Sequence, residues 1–293
     1  MTTPFDPRQI RRAFGRAAST YAATAVLQKE VESRLLEQLD YVSLAPARIL
    51  DVGCGPGRAS VALKQRWPKA EVLALDLALP MLREAGKHTG WWRPRFARVN
   101  ADATALPLPD ASIDLLFSNL CIQWIADLPG LFSEWRRVLA PGGMLLLSSF
   151  GPDTLHELRA AFAAVDRDEH VSHFAPIQIL GDALLGSGFR DPVLDSDNFT
   201  LTYADARSLM RELRAIGAGN ALQSRARGLT GKTRMQRVFA AYEPFRRDGI
   251  LPATYEVIYA HAWAPEPGQP RRSGGADLAT VPLSSISIRR RGA

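Results

Sequence analysis

Three glycines at alternate positions, Gly53, Gly55 and Gly57, lie in the turn Asp51-Val52-Gly53-Cys54-Gly55-Pro56-Gly57, between the apolar pair Ile49-Leu50 and a helix-like stretch. Glycine is needed where φ must be positive or where a ligand must approach the backbone, so this spacing between strand and helix points to a nucleotide-type ligand. The dinucleotide fingerprint would need its third glycine one residue later, at Arg58, and the turn lacks the lysine and Ser/Thr of a phosphate-binding loop. A ligand without phosphates fits better. Asp76 stands 19 residues after Gly57, where a carboxylate accepts both hydroxyls of a ribose. Asp102, in Asn100-Ala101-Asp102-Ala103, can accept from an adenine amino group, and Asp51 can orient the turn or hold a ligand ammonium.

These carboxylates need elements that bring them to one rim. From Arg48 the chain alternates strand, turn and helix, the pattern of a parallel sheet covered on both faces. Strands are expected at 48–52, 71–76, 96–100, 113–118 and 144–150, the last after a turn at Pro141-Gly142-Gly143, with helices at 58–66, 80–87 and 128–139. Further helices are expected at 154–165 and 177–185 and strands at 193–203 and 255–263. Asp51, Asp76 and Asp102 then all fall at carboxyl ends of strands, where open α/β sheets bind ligands. Residues 205–248 carry helical patterning between two strands that should be neighbours, which reads as an inserted lid. Ahead of the sheet, Asp6-Pro7 opens a helix through Ile10, Ala13 and Phe14, a break is expected near Ser19 to Tyr21, and Leu27, Val31 and Leu35 define a second helix widened by Leu36 and Leu39. The organisation is therefore a helical cap over 1–45, an α/β domain over 46–263, and a disordered tail over 264–293 that is rich in Pro, Gly, Ser and Arg and holds Arg289-Arg290-Arg291.

The bulk composition narrows the class. A chain of 293 residues with 46% hydrophobic and 23% charged residues can bury a large α/β core. Two cysteines, Cys54 and Cys121, suit a reducing compartment, no apolar run is long enough to span a bilayer, and a cytoplasmic location follows as the expectation. The net charge of +6 favours an acidic partner. That excess is concentrated in residues 205–248, with ten basic residues (Arg207, Arg211, Arg214, Arg225, Arg227, Lys232, Arg234, Arg237, Arg246, Arg247) against four acidic ones (Asp205, Glu212, Glu243, Asp248). His88, His156, His170, His173 and His261 show no carboxylate or cysteine partners at ligand spacing, so no metal is expected.

The glycine turn, Asp76, Asp102 and Pro141-Gly142-Gly143 resemble the class I S-adenosylmethionine-dependent methyltransferases over about residues 48 to 150. The resemblance implies a Rossmann-like sheet of seven strands with helices on both faces and a helical insertion between strands six and seven. It implies S-adenosyl-L-methionine as cofactor, with Gly53, Gly55 and Gly57 beside the methionine moiety, Asp76 on the ribose and Asp102 at the adenine. Leu77 and Met81 then act as apolar walls, and Asp51, Ala103 and Asn119 complete the cofactor set.

Four more stretches are similar to the malonyl-acyl carrier protein O-methyltransferase family of biotin synthesis, which esterifies the free carboxylate of a malonyl thioester. They are Ala13-Phe14-Gly15-Arg16-Ala17-Ala18 with Tyr21, Ser118-Asn119-Leu120 with Gln123-Trp124, the segment from Val165-Asp166 to His173-Phe174, and the segment from Leu209 to Ala218. With the core they cover about residues 10 to 263. This similarity implies acyl carrier protein carrying a malonyl thioester as an acidic protein partner; no nucleic-acid or membrane partner is expected, and a monomer is the expectation for the chain. A carboxylate acceptor is already ionised, with a reference pKa near 4, so no general base is required and none stands out.

Tyr21 and Gln123 are the expected catalytic residues, Tyr21 closing over the methionine end or packing as a core tyrosine. Trp124, His173 and Phe174 are expected at the acceptor site. Arg207, Arg211 and Arg214 form a stripe on the inserted helix, which is either a solvated face or one from which Arg211 or Arg214, foremost Arg214, reaches the substrate carboxylate. The competing readings are a methyltransferase-fold assembly factor or protein-modifying enzyme related to complex I arginine hydroxylases, and a methyltransferase of another small acid or of RNA. Against RNA, Ser118-Asn119-Leu120-Cys121 stands where an Asn-Pro-Pro-Tyr-like base pocket would.

Overall fold

The computed structural model describes residues 5–90, 95–225, 228, 231–266, 271–273 and 276–278. Helix α1 (Pro7–Thr24) starts as the sequence dictates: Asp6 caps it by accepting from the N–H groups of Arg8 and Gln9, with proline in the first turn. The expected break near Ser19 to Tyr21 does not occur, and the chain turns only at Ala25. The hydroxyls of Thr20 and Thr24 bond back to the carbonyls of Ala17 and Thr20, so polar residues that suggest a loop are absorbed by the helix. Helix α2 (Val26–Glu37) buries Leu27, Val31 and Leu35.

The sheet strands are β1 (Arg48–Val52), β2 (Glu71–Asp76), β3 (Ala97–Asn100), β4 (Ile113–Ser118), β5 (Leu139–Phe150), β6 (Arg190–Tyr203) and β7 (Leu251–Trp263), in the order β3-β2-β1-β4-β5-β7-β6. The first five run parallel, while β7 pairs antiparallel with both β5 and β6. This is the seven-stranded sheet expected from the sequence. The intervening helices are α3 (Arg58–Arg66), α4 (Leu79–Gly86), α5 (Leu128–Val138), α6 (His156–Ala163) and α7 (Ile177–Gly186). Successive strand residues enter opposite cores: Ile49 and Leu146 pack with α2 and α3 residues Val31, Leu35 and Leu63, whereas Leu50, Leu145 and Leu147 pack with α5 and α7 residues Phe132, Trp135 and Leu184. Burial on both faces is why the strands read as unbroken apolar runs.

Some boundaries move. Strand β5 begins at Leu139 rather than after the Pro141-Gly142-Gly143 turn, because Leu139 already pairs with Ile113 and the register then shifts to Leu115 against Met144, bulging out the residues between. Strands β6 and β7 extend three or more residues beyond expectation, down to Arg190 and Leu251, where they pair with each other or with the sheet. Between them lie α8 (Ala206–Ala215) and α9 (Lys232–Tyr242), the inserted helices. In the tail, Arg271–Ser273 and Ala276–Leu278 form a small antiparallel pair, β8 and β9, where disorder is expected; Arg289-Arg290-Arg291 lie outside the described residues. Among the described residues no helix is long and apolar enough to cross a membrane.

Trp135 ties this scaffold to the ligand rim, since it is fully buried and its indole N–H donates to the carbonyl of Ala103 at 3.0 Å. Replacing it by phenylalanine leaves that carbonyl unpaired and opens space in the core, so Trp135→Phe should cost on the order of 1–3 kcal/mol in a denaturant titration. An unchanged unfolding midpoint would show that the bond contributes nothing.

Candidate active site

The turn after β1 has the backbone its glycines foretell, with φ of 71° at Gly53, 52° at Gly55 and 80° at Gly57. The three are needed for different reasons. A Cβ at Gly53 would lie 2.6 Å from the Sγ of Cys121, and one at Gly57 would lie 2.9 Å from the Cβ of Ala85, so both are packing positions. A Cβ at Gly55 would meet nothing within 4 Å and would project into open space, which leaves Gly55 as the glycine whose bareness serves a ligand. The turn is lashed to β2: the N–H groups of Gly53 and Cys54 donate to the carbonyl of Leu75, and that of Gly55 donates to Asp76 Oδ2 at 2.9 Å.

Two cavities meet at this turn. One, of about 320 Å³, is lined by Asp76, Leu77, Met81, Asp102 and Ala103 with Trp124 at its far side. The other, of about 450 Å³, is lined by Asp51, Cys54, Gln28, Lys29, Glu32 and Arg58. Both are bounded by Tyr21, Gly53, Gly55 and Asn119, so together they form one elongated cleft with the turn as its waist. Helix α1 roofs the first chamber, where Ala18 packs on Met81 with Phe14 and Tyr21 beside them. Asp76 sits between N–H donors, with Oδ1 accepting from Ala78 at 2.7 Å and Oδ2 from Gly55, and each oxygen keeps a further lone pair for a ribose hydroxyl. Asp102 engages Thr104 through Oδ1 alone.

Asp51 is buried, and the hydroxyl of Ser60 donates to its Oδ2 at 2.5 Å. The side-chain amide of Asn119 is held at both ends, its Nδ2 donating to the carbonyl of Gln28 and its Oδ1 accepting from Ser148 at 2.7 Å, which fixes the loop after β4 against α2. Burial pushes the carboxyl of Asp51 up to about 7 and that of Asp76 up to about 6. Burial also raises the Tyr21 phenol, reinforced by the nearby Glu32 and Asp76 carboxylates, so Tyr21 is a neutral hydroxyl near pH 7. The cleft is an acid-lined, partly dehydrated slot that fits a cationic nucleoside.

A third cavity, of about 400 Å³, adjoins the first through Phe5, Ile125 and Ala126. Its wall is mostly apolar and includes Gln123, His173 and Phe174, so the structure groups these three away from the donor cleft. Gln123 donates from Nε2 to the carbonyl of Leu120 at 2.6 Å, which orients its amide and leaves Oε1 buried without a partner. Trp124 lies on the donor-cleft side, wedged edge-on between the rings of Phe5 and Phe14. Gly57 lines none of the three cavities.

Nor do Arg211 and Arg214 line them: α8 lies against α1, with Thr20 bonding to the carbonyl of Ala215, and both arginines are exposed. Arg207 covers the ring of Phe239 instead. Residues not anticipated from the sequence are Gln28, Lys29, Glu32 and Arg58. A helical reading of α2 by its apolar stripe alone passes over the polar face at 28, 29 and 32, which is the face turned to the turn. His170 does have carboxylate partners, contrary to expectation, for Asp166 and Asp168 lie within 4.8 Å of it at spacing i−4 and i−2. Arg234 occupies that cluster by pairing with both aspartates, so one of the cluster's two negative charges is already compensated.

The raised carboxyls set a pH dependence with a definite sign. Unfolded aspartates lose their protons near pH 4, while folded Asp76 and Asp51 hold theirs to about 6 and about 7, so their contribution to stability is present below pH 4 and is lost as pH rises through 6 and 7. Between pH 5 and 8 the wild-type chain without ligand should lose on the order of 1–3 kcal/mol more stability than Asp51→Asn, read from denaturant midpoints. Parallel pH profiles would refute the assignment.

Comparison with known proteins agrees with this geometry. Residues 50–147 match the methyltransferase domain family. The chain is 56% identical over 289 residues to the malonyl-[acyl-carrier protein] O-methyltransferase of Xylella fastidiosa, covering 98% of each chain. It is 46% identical to the enzyme of that name from Gallionella capsiferriformans, covering 94% of this chain and 96% of the relative. Among solved structures, one from Bacillus halodurans described as a methyltransferase superposes with a TM-score of 0.56 at 19% identity, over 80% of this chain and 99% of the other, and shares the fold. With relatives this similar over nearly their full length, the chain belongs to the malonyl-[acyl-carrier protein] O-methyltransferase family.

Proposed function

We propose that the chain moves a methyl group from S-adenosylmethionine to the free carboxylate of a malonyl thioester on acyl carrier protein, giving the methyl ester that primes pimeloyl synthesis for biotin. The observation that carries the reading is the two-chambered acidic cleft, with Asp76 and Asp102 in one chamber and Asp51 in the other, joined at Gly53, Gly55 and Tyr21. Its fit is chemical: three carboxyl groups disfavour a phosphate and favour a cation, and Gly55 leaves the waist open.

When bound, S-adenosylmethionine supplies a methyl carbon made electrophilic by its sulfonium. Asp76 holds the ribose, Asp102 takes the adenine amino group, and Leu77, Met81 and Ala103 wall the base. Asp51 orients the turn and Asn119 fixes the opposite loop. The malonyl carboxylate attacks as it stands: a C–O bond forms, the C–S bond breaks, and no proton moves. The chain's task is then orientation and exclusion of water, which can contribute on the order of 7 to 11 kcal/mol to lowering the barrier. Tyr21, neutral and at the waist, is a positioning hydroxyl rather than a base. Loss of hydration raises the thiols of the buried Cys54 and the half-buried Cys121, Cys121 to about 12, so neither competes as a methyl acceptor. These two free cysteines support a reducing, cytoplasmic setting.

The acceptor enters through the cavity of Gln123, Phe174 and His173. Gln123 Oε1 needs an N–H donor, which a malonyl carboxylate lacks and the amide-bearing arm of a carrier protein has. The carrier protein itself docks on the insertion. There Arg211, Arg214, Lys232, Arg237 and Arg247 are exposed and take part in none of the ion pairs among the described residues, unlike Arg225, Arg234 and Arg246. Arg211 and Arg214 thus act at the carrier surface, not on the malonyl group.

Two outcomes test the reading. Incubation with S-adenosylmethionine and malonyl-acyl carrier protein should add the mass of one methylene to the carrier, with succinyl-acyl carrier protein and bulk RNA unmodified; methyl label in RNA alone would sink it. Binding to acyl carrier protein should weaken steeply between 50 and 300 mM salt, on the order of tenfold, and Arg211→Glu with Arg214→Glu should remove most of that slope. Salt-independent affinity would contradict docking on this face.

A further inference from the structure

The second chamber of the cleft contains a carboxylate that neither the glycine turn nor the sheet supplies. Glu32 projects from α2, its side chain is 12% exposed, and its Oε1 is buried without a hydrogen-bond partner. Arg58 approaches that oxygen to 3.1 Å, an ion-pair distance, but its N–H groups are aimed elsewhere, at the carbonyl of Lys29 and the hydroxyl of Ser33. The acid therefore has a counter-charge and no donor, a state that costs free energy unless a ligand completes it. Burial and the neighbouring Asp51 push its carboxyl up to about 8 against the opposing pull of Arg58 and Lys29, so a further cation with a hydrogen-bond donor is what would hold it ionised.

Position decides what that partner is. Glu32 shares its chamber with Asp51, Gln28 and Lys29, and this chamber continues from the adenosine chamber across Tyr21, Gly53 and Gly55. A ligand with its base at Asp102 and its ribose at Asp76 must extend its remaining atoms past the waist into the company of Glu32. An ammonium brings three donors and a positive charge, which matches a carboxylate oxygen without a hydrogen-bond donor beside a second carboxyl. We propose that Glu32 is the acceptor for the α-ammonium of the methyl donor, so that the N-terminal helical cap, and not the sheet alone, completes the cofactor site. Arg58, the residue that displaces the third glycine of a dinucleotide turn, then has a reason to stand there, since it clamps α2 to the turn and brings Glu32 into range.

This inference rests on the cofactor reading above, and a pair of ligands separates the two. S-adenosylhomocysteine carries the ammonium, whereas 5′-methylthioadenosine keeps the adenosine and thioether and lacks the amino-acid end. By calorimetric titration of the full chain at pH 7.5, the wild type should bind both. Glu32→Gln should weaken S-adenosylhomocysteine by about tenfold or more while leaving 5′-methylthioadenosine within about twofold, and the retained second affinity shows that the variant is folded. Unchanged affinity for S-adenosylhomocysteine overturns the proposal, as does an equal loss for both ligands, which would make Glu32 a support for the turn. A wild type that binds neither ligand overturns the cofactor reading and this inference with it.

Discussion

The donor site depends on the hydrogen bond from the Gly55 N–H to Asp76 Oδ2, 2.9 Å long, which joins the turn after β1 to the end of β2. Together with the two bonds from Gly53 and Cys54 to Leu75 it fixes the waist of the cleft before any ligand arrives. Such a bond to a carboxylate is strong only if the group is ionised, yet burial there favours the neutral form. The protein is thus prepared for a ligand that restores the charge balance. A cationic donor does so, and the neutral product left after methyl transfer does so less well.

Charge is distributed by function over the whole chain. The exposed Arg211, Arg214, Lys232, Arg237 and Arg247 give the insertion a basic surface, while Asp51, Asp76, Asp102 and Glu32 line the cleft. On the proposed function, an anionic carrier would be steered to the outside and a cationic nucleoside held inside. Arg58 is an exception with a structural task, for it spans the boundary and pins α2 to the turn through Lys29, Ser33 and Glu32. The cap helices α1 and α2 roof both chambers, so the segment outside the sheet decides how much water the cleft retains.

How much of this is legible in the sequence follows from which forces act locally. Strands β1, β2 and β4 and helix α3 can be read to the residue, because buried parallel strands are continuous apolar runs bounded by turn residues. The aspartates that line the cleft, Asp51, Asp76 and Asp102, are legible because their place at strand ends follows from topology. The unbroken α1 is not, since Thr20, within the expected break, looks like a loop residue until its hydroxyl finds the carbonyl of Ala17. Nor is the different work of the three glycines: Gly57 is required by Ala85 and Phe96, residues far along the chain. Arg211 and Arg214 lie on one face of α8 as the spacing says, but which face meets the cleft is set by packing of α8 on α1, which no local pattern encodes. Glu32 escapes for the same reason, as a charge on a helix is ordinarily solvated.

A crystal structure with S-adenosylhomocysteine bound would test the central claim most directly, namely that one cleft crosses the glycine turn and the acceptor has a separate cavity. The account predicts adenine beside Asp102, both ribose hydroxyls on Asp76, and the amino-acid end past Gly53 and Gly55 among Asp51 and Glu32, with the cavity of Gln123 and Phe174 free of the ligand. An amino-acid end lying against Gln123 and Phe174 would contradict it.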